Sequence, residues 1–151
     1  MKKIFLFLVL ILFVSGCASN EVKYATDVNN FESVVLKNGF SISKKDDAYY
    51  GIDYIIDHTM VTRDDIIIEM IVYSDNENAD SVQKKHIENF DLLKSTGAQA
   101  VKEKGKNYYH YSLISNGRYM LSTRVDNTLI FCKVLLKDKK IIDSIIQEIG
   151  Y

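Results

Sequence analysis

The sequence has no apolar run long enough to cross a bilayer. Its longest, Ile4 to Val14, is eleven residues, where a spanning helix needs about 20. It has no basic stripe either: 19 Lys and Arg stand against 20 Asp and Glu, which argues against a nucleic-acid partner. No nucleophile elbow, His-Glu-x-x-His, Cys-x-x-Cys or phosphate-binding glycine loop is present. No enzyme class, metal or cofactor is therefore expected. Internal repeats and low-complexity tracts are also missing. Cysteine is nearly absent, Cys17 and Cys132 being the two in the chain.

What is present at the N-terminus is an export signal. Lys2 and Lys3 form a short basic region, and Ile4 to Val14 has the length of a signal-peptide core. Val14-Ser15-Gly16-Cys17 follows: an aliphatic residue, two small residues, then cysteine. This resembles the lipobox of bacterial lipoproteins. The resemblance implies cleavage between Gly16 and Cys17, and a diacylglyceryl group on the Cys17 thiol, with palmitate-type acyl chains. Stable anchoring takes two chains, and a diacylglyceryl cysteine supplies them. The mature protein is then expected at the outer face of the cytoplasmic membrane, tethered without spanning it. Residues 17–26 read as the lipidated cysteine and a tether, reaching about 30 Å when extended.

Losing Lys2 and Lys3 takes the net charge from −1 to −3. A mildly acidic domain is not drawn to an anionic surface, so the lipid is expected to do the anchoring. With Cys17 lipidated, Cys132 has no disulfide partner in the mature chain, and the fold must rest on its hydrophobic core. The 135 residues from Cys17 onward suit one globular domain, residues 27–151.

Hydrophobic spacing predicts the elements. Thr26 or Asp27 caps a first helix with Val28, Phe31, Val35 and Leu36 inward, closed by Gly39 and Phe40. Residues 49–61 alternate as a strand, with Tyr50, Ile52, Tyr54 and Ile56 on one side and Asp53 and Asp57 on the other. After the turn Thr62–Asp65, Ile66, Ile68, Met70 and Val72 face inward on a second strand, Glu69 and Tyr73 outward. Asp75–Asn78 opens a second helix with Ala79, Val82, His86, Phe90 and Leu93 on one stripe, stopped by Gly97. Residues 98–136 read as four strands turning at Gly105, Asn116-Gly117 and Asp126-Asn127. Asp138 caps a final helix with Ile142, Ile145 and Ile149 inward, ended by Gly150. The fold class is α+β: an antiparallel sheet of about six strands with helices packed on it, in the order helix-β-β-helix-β-β-β-β-helix.

The turn centres also set the register. Tyr119 should pair with Ile114 and Thr128 with Val125, and cross-strand partners share a face. One face then holds Ile114, Tyr119, Leu121, Val125, Ile130, Cys132, Val134 and Leu136, and is the core. The other holds Tyr109, Tyr111, Leu113, Met120, Ser122, Arg124, Leu129, Phe131 and Lys133, a mixture of aromatics and cations. The segment Arg124-Val125-Asp126-Asn127-Thr128-Leu129-Ile130, with the ending Ile149-Gly150-Tyr151, resembles the C-terminal part of small uncharacterised lipoproteins from low-GC Gram-positive bacteria. No activity comes with that resemblance. The element order is similar to PsbP- and Mog1-like sandwiches, mostly binding or assembly factors, and this is an analogy of fold only.

Weighed singly, the chemistry-bearing residues read as structural. His58, His86 and His110 share no ligand spacing, and His86 lies on a helix stripe between Val82 and Phe90. His110 falls on the core face beside Thr123. Asp75–Asp80 lacks the glycine a calcium loop needs at its sixth position and suits a helix N-terminus. Asp46-Asp47 and Asp64-Asp65 read as turns, and Cys132 as a small buried hydrophobe. The candidate binding face is Tyr109, Tyr111, Arg124 and Phe131, because tyrosine and arginine dominate interface hot spots. The competing reading is that one of the first two helices covers it.

The expected function is a non-enzymatic, membrane-anchored binding or assembly module, partnered by the membrane through Cys17 and by a protein or small ligand. The alternative is an enzyme or enzyme accessory acting on cell-envelope material, with His110 or a carboxylate pair as its acid–base group. A purely structural surface protein would lack a concave pocket. The lipobox yields a direct test: Cys17→Ala should abolish labelled palmitate incorporation and leave residues 1–16 attached, both read by mass spectrometry of the expressed protein.

Overall fold

The computed structural model describes residues 20–43 and 51–151. The signal segment, with Gly16 and Cys17, lies outside them, as do Tyr50 and Asp46-Asp47. Helix α1 spans Val28–Lys37, followed by strands β1 (Ser41–Ser43), β2 (Ile55–Arg63) and β3 (Ile66–Tyr73). Helix α2 (Asn76–Asp91) leads to a meander, β4 (Gln99–Lys104), β5 (Tyr108–Ser115), β6 (Arg118–Val125) and β7 (Thr128–Leu135). A 3₁₀ turn at Leu136–Asp138 enters α3 (Lys139–Glu148). The strands form one antiparallel seven-stranded sheet, in the order β1-β2-β3-β7-β6-β5-β4. The α+β class and the element order are as expected, with the three-residue β1 as the extra strand.

The turn chemistry explains the register. Asn116, Gly117 and Asp126 all take positive φ (51°, 69° and 49°), the conformation that tight hairpins demand and that Asn, Asp and Gly tolerate. Tyr119 pairs with Ile114 and Thr128 with Val125. On one face Phe31, Val34 and Val35 of α1 and Ile142, Ile145 and Ile146 of α3 pack against Ile68, Met70, Leu121, Ile130, Cys132 and Val134. Each such fully buried aliphatic contributes about 1.5–3 kcal/mol relative to exposure.

The helix ends show how local signals decide boundaries. Asp27, rather than Thr26, caps α1 by accepting from the Asn30 amide at 2.7 Å. Gly39, at φ 79°, lets the Phe40 amide reach Val35 O at 3.0 Å, the hydrogen bond of a Schellman closure. Several expectations are corrected, Leu93 and Leu136 among them, each 40% exposed rather than inward. Leu36 is 51% exposed, because Val34 and not Leu36 completes the buried stripe with Phe31 and Val35. Ile56 is 65% exposed and Tyr54 is largely exposed too, because β2 begins only at Ile55 and a register irregularity between Ile55 and Asp57 breaks the alternation. Asp138 makes no side-chain cap hydrogen bond, because the 3₁₀ turn already supplies the entry to α3.

Tyr73, expected outward, is buried, since the second face of the sheet is covered as well. Helix α2 lies there, packing Ala79 with Ile71, Tyr73 and Leu129, and Phe90 with Tyr111, Leu113 and Met120. Helices α1 and α3 thus cover one face and α2 the other.

Residues expected as tether are partly held by the sheet. The Lys106 amide donates to Glu21 O at 3.1 Å. Lys23 N–H donates to Asn107 Oδ1 at 3.0 Å, and Asn107 Nδ2 donates back to Lys23 O at 2.8 Å. The Thr26 amide donates to the Tyr151 hydroxyl at 3.2 Å. Gly105 makes this docking possible: a Cβ there would sit 2.1 Å from Tyr108 Cε1 and 2.7 Å from Glu21 O. The Tyr108 ring is buried and Glu21 O is backbone, so neither yields cheaply. Gly105→Ala is expected to cost about 1–3 kcal/mol through overpacking and to speed hydrogen exchange at the Lys106 amide, as read by denaturant titration and NMR.

Candidate functional site

The four residues of the candidate binding face do converge on one side of adjacent strands. Tyr109 pairs with Arg124, and Tyr111, Ser122 and Phe131 lie in one row across β5, β6 and β7. They do not form an open patch. Helix α2 crosses them, Tyr111 is 0% exposed, and its hydroxyl donates to Asp91 of α2. Burial, then the Asp91 carboxylate, pushes the Tyr111 phenol up to about 12. Tyr111 is therefore part of the α2–sheet contact. Helix α2 instead divides the face, leaving Tyr109 and Arg124 on one flank and Phe131 on the other.

On the first flank is a groove of about 430 Å³, lined by Asp80, Gln83, Lys84, Ile87, Glu88, Lys104, Tyr109 and Arg124. Arg124 is its fixed point. Its guanidinium donates to Gln83 Oε1 at 3.1 Å, to Asp126 O at 3.0 Å and to Asp80 Oδ1 at 3.1 Å. Gln83 is fully buried and donates in turn to Tyr109 O at 2.8 Å and Ser122 O at 3.2 Å. A planar fork and a buried amide thus lock α2 to β5 and β6, as buried polar groups require. The Lys84 ammonium bonded to Asp80, with Arg124 beside it, holds the Asp80 carboxyl below its ordinary range. The floor is Tyr109, half-buried, with Ile87 beside it; Lys84 and Lys104 stand at the rim. Sequence periodicity missed Gln83, since a glutamine among apolar positions reads as polar surface. The Asp80–Arg124 pair, 44 residues apart, left no local signal.

On the second flank Phe131 lies against His86, ring centroids 4.3 Å apart, in a smaller hollow with Ile67, Glu69, Phe90 and Lys133. Burial drives the His86 imidazole down to about 4, and its Nδ1 has no hydrogen-bond partner among the described residues. His58 Nε2 lies 3.0 Å from Glu69 Oε2. His110 is half-buried, its basicity lowered by burial and partly restored by Glu103, its neighbour across the β4–β5 ladder. The Cys132 thiol is buried and pushed up to about 12 by desolvation, the reverse of what a reactive thiolate needs. Two carboxylates of the Asp75–Asp80 run are engaged: Asp75 accepts from the Asn78 amide at 2.8 Å, and Asp80 is paired as above. Among the described residues no group of three potential metal ligands comes together.

His86 yields a pH prediction. Its folded value of about 4 lies below the unfolded value near 6.5, so the unfolded chain binds the extra proton between them. The neutral ring's contribution is complete above about pH 6.5 and is lost as pH falls toward 4. The loss is about 2–3 kcal/mol, allowing for partial exposure. His86→Phe should flatten this window relative to wild type in denaturant midpoints measured from pH 7 to pH 4.

A family model described as "Prokaryotic membrane lipoprotein lipid attachment site" matches residues 1–18. Neither curated proteins nor solved structures show a match, so the resemblances to Gram-positive lipoproteins and to PsbP- and Mog1-like domains gain no support from them. Among the described residues no helix is long and apolar enough to cross a membrane. The chain carries a lipoprotein attachment site and is a membrane lipoprotein anchored through lipid.

Proposed function

We propose that this lipoprotein is a non-enzymatic binding module, held by acylated Cys17 at the outer face of the cytoplasmic membrane of a Gram-positive cell, with the α2 groove as its site. The observation that carries this reading is the groove itself: an apolar floor of Tyr109 and Ile87 beneath a rim that includes Lys84 and Lys104, set in a frame made rigid by Arg124 and Gln83. A concave site in which fixed polar groups surround an apolar floor is a common form of ligand site. The ligand class that fits has a flat apolar part for Tyr109 and an anionic group for the rim lysines, borne on a small molecule or a protein segment. A concave site of this kind favours a binding role over a purely structural one.

Small aromatic carboxylates titrated into the isotope-labelled lipoprotein provide the probe. Amide shifts are expected at Lys84, Ile87, Lys104 and Tyr109. Lys84→Ala should weaken binding about tenfold, the equivalent of one charge-assisted hydrogen bond, without lowering stability, because its Asp80 pair is exposed. Shifts clustering elsewhere would remove the groove as the site. Release of soluble fragments from cell wall or phospholipid by the purified protein would instead support an enzyme acting on envelope material.

A further inference from the structure

The docked N-terminal segment determines which end of the domain meets the bilayer. Glu21 O is bonded to the Lys106 amide at the β4–β5 turn, and Cys17 lies four residues earlier. Four residues span at most about 14 Å, so with the hydrogen bond added that turn is held within about 20 Å of the acylated cysteine. Strand β5 has eight residues, roughly 26 Å, so the Asn116-Gly117 turn at its far end points away.

The near end carries the side chains such a position calls for. Glu21 and Lys23 turn toward the sheet: the Tyr108 hydroxyl donates to Glu21 Oε2 at 3.2 Å, and the Lys23 ammonium lies 4.6 Å from the Tyr108 ring centroid. Val22 and Tyr24, which alternate with them, are 50% and 89% exposed. Lys104 and Lys106, both exposed, flank the same turn. Of the acids nearby, Glu21 accepts from Tyr108 and Asp126 accepts from Asn107 Nδ2 at 2.9 Å, while Glu103 beside Lys104 is exposed. Tyrosine is enriched at membrane–water interfaces, and lysines close to an anionic surface attract it.

We propose that Val22, Tyr24, Lys104 and Lys106 form a membrane-docking surface that takes anionic phospholipid headgroups of the bilayer holding the lipid anchor. The inference rests on lipid attachment at Cys17. The docking sets a fixed orientation: the β4–β5 turn lies on the membrane, the α2 groove opens beside it through Lys104, and the far turns face outward. The net charge of −3 is no obstacle, since screening confines attraction to charges within about 10 Å of the surface.

The chain contains no tryptophan, so Tyr24→Trp and Leu92→Trp each give a single reporter. Leu92 is exposed at the far end of α2. The lipidated full-length proteins are reconstituted in vesicles of phosphatidylcholine, with or without phosphatidylglycerol, containing acyl-brominated lipid. The Cys17 lipid mass is read in the same samples, which separates failed lipidation from failed docking. In phosphatidylglycerol vesicles the indole at position 24 is expected to be blue-shifted and quenched, while the indole at position 92 is not. Changing Lys104 and Lys106 to Gln should lower the docked fraction, by about fivefold per lysine in the docked-to-undocked ratio. Equal quenching of the two reporters overturns the proposal. So does quenching at position 24 that ignores both phosphatidylglycerol and the lysine changes.

Discussion

The ladder between β3 and β7, running from Ile68 opposite Cys132 to Val72 opposite Thr128, joins two halves of the chain that are otherwise separate local structures. The β2–β3 hairpin and the β4–β7 meander each pair only with sequence neighbours. Their union closes a loop of more than fifty residues, at a loop-closure cost that grows only slowly with length. It places β3 and β7 at the centre of the sheet, where both of their faces must be buried. Ile68 and Met70 serve one face and Ile71 and Tyr73 the other. The connection between the halves contains α2, and α2 has to lie on the face that α1 and α3 leave open.

That placement of α2 makes the site. A strand face with Tyr109, Tyr111, Arg124 and Phe131 in register could have been an open surface. Instead the helix occupies its centre, takes Tyr111 into the core, and leaves a flank on either side. The two flanks differ in chemistry. One is governed by Arg124 and Gln83, a polar lock in which Arg124 Nε, Nη1 and Nη2 and the Gln83 amide each donate to an acceptor. The other holds His86 against Phe131, a ring kept neutral by desolvation. Cavities form where a helix passes over a twisted sheet without filling its margins, and the residues at those margins decide what they attract.

The anchor and the domain are coupled by the same economy of local contacts. The segment from Glu21 to Thr26, between the lipidation site and α1, is bound by Asn107, Tyr108 and Tyr151 rather than left as free chain. The absence of a side chain at Gly105 is the condition for it. The net charge of −1 describes the whole chain as nearly balanced, and that average hides an end where lysines and exposed apolar residues gather. Orientation at a membrane depends on the local arrangement, because screening makes distant charges irrelevant.

The sequence by itself determined what depends on neighbours along the chain. The lipobox, the Asn116-Gly117 and Asp126-Asn127 turns, the helix starts at Thr26 or Asp27 and at Asp75–Asn78 and the meander register are legible because φ preferences and hydrogen bonds over three or four residues produce them. The candidate face was legible in composition for the same reason, since a period of two assigns each strand residue a side. Only the tertiary structure decided whether that face was open. Burial of Tyr111 and Gln83, the Asp80–Arg124 pair and the docking of Glu21 and Lys23 all depend on where a helix or a terminal segment comes to lie. Those positions are set by total burial across the sheet, a sum over residues distant in sequence that no local pattern encodes.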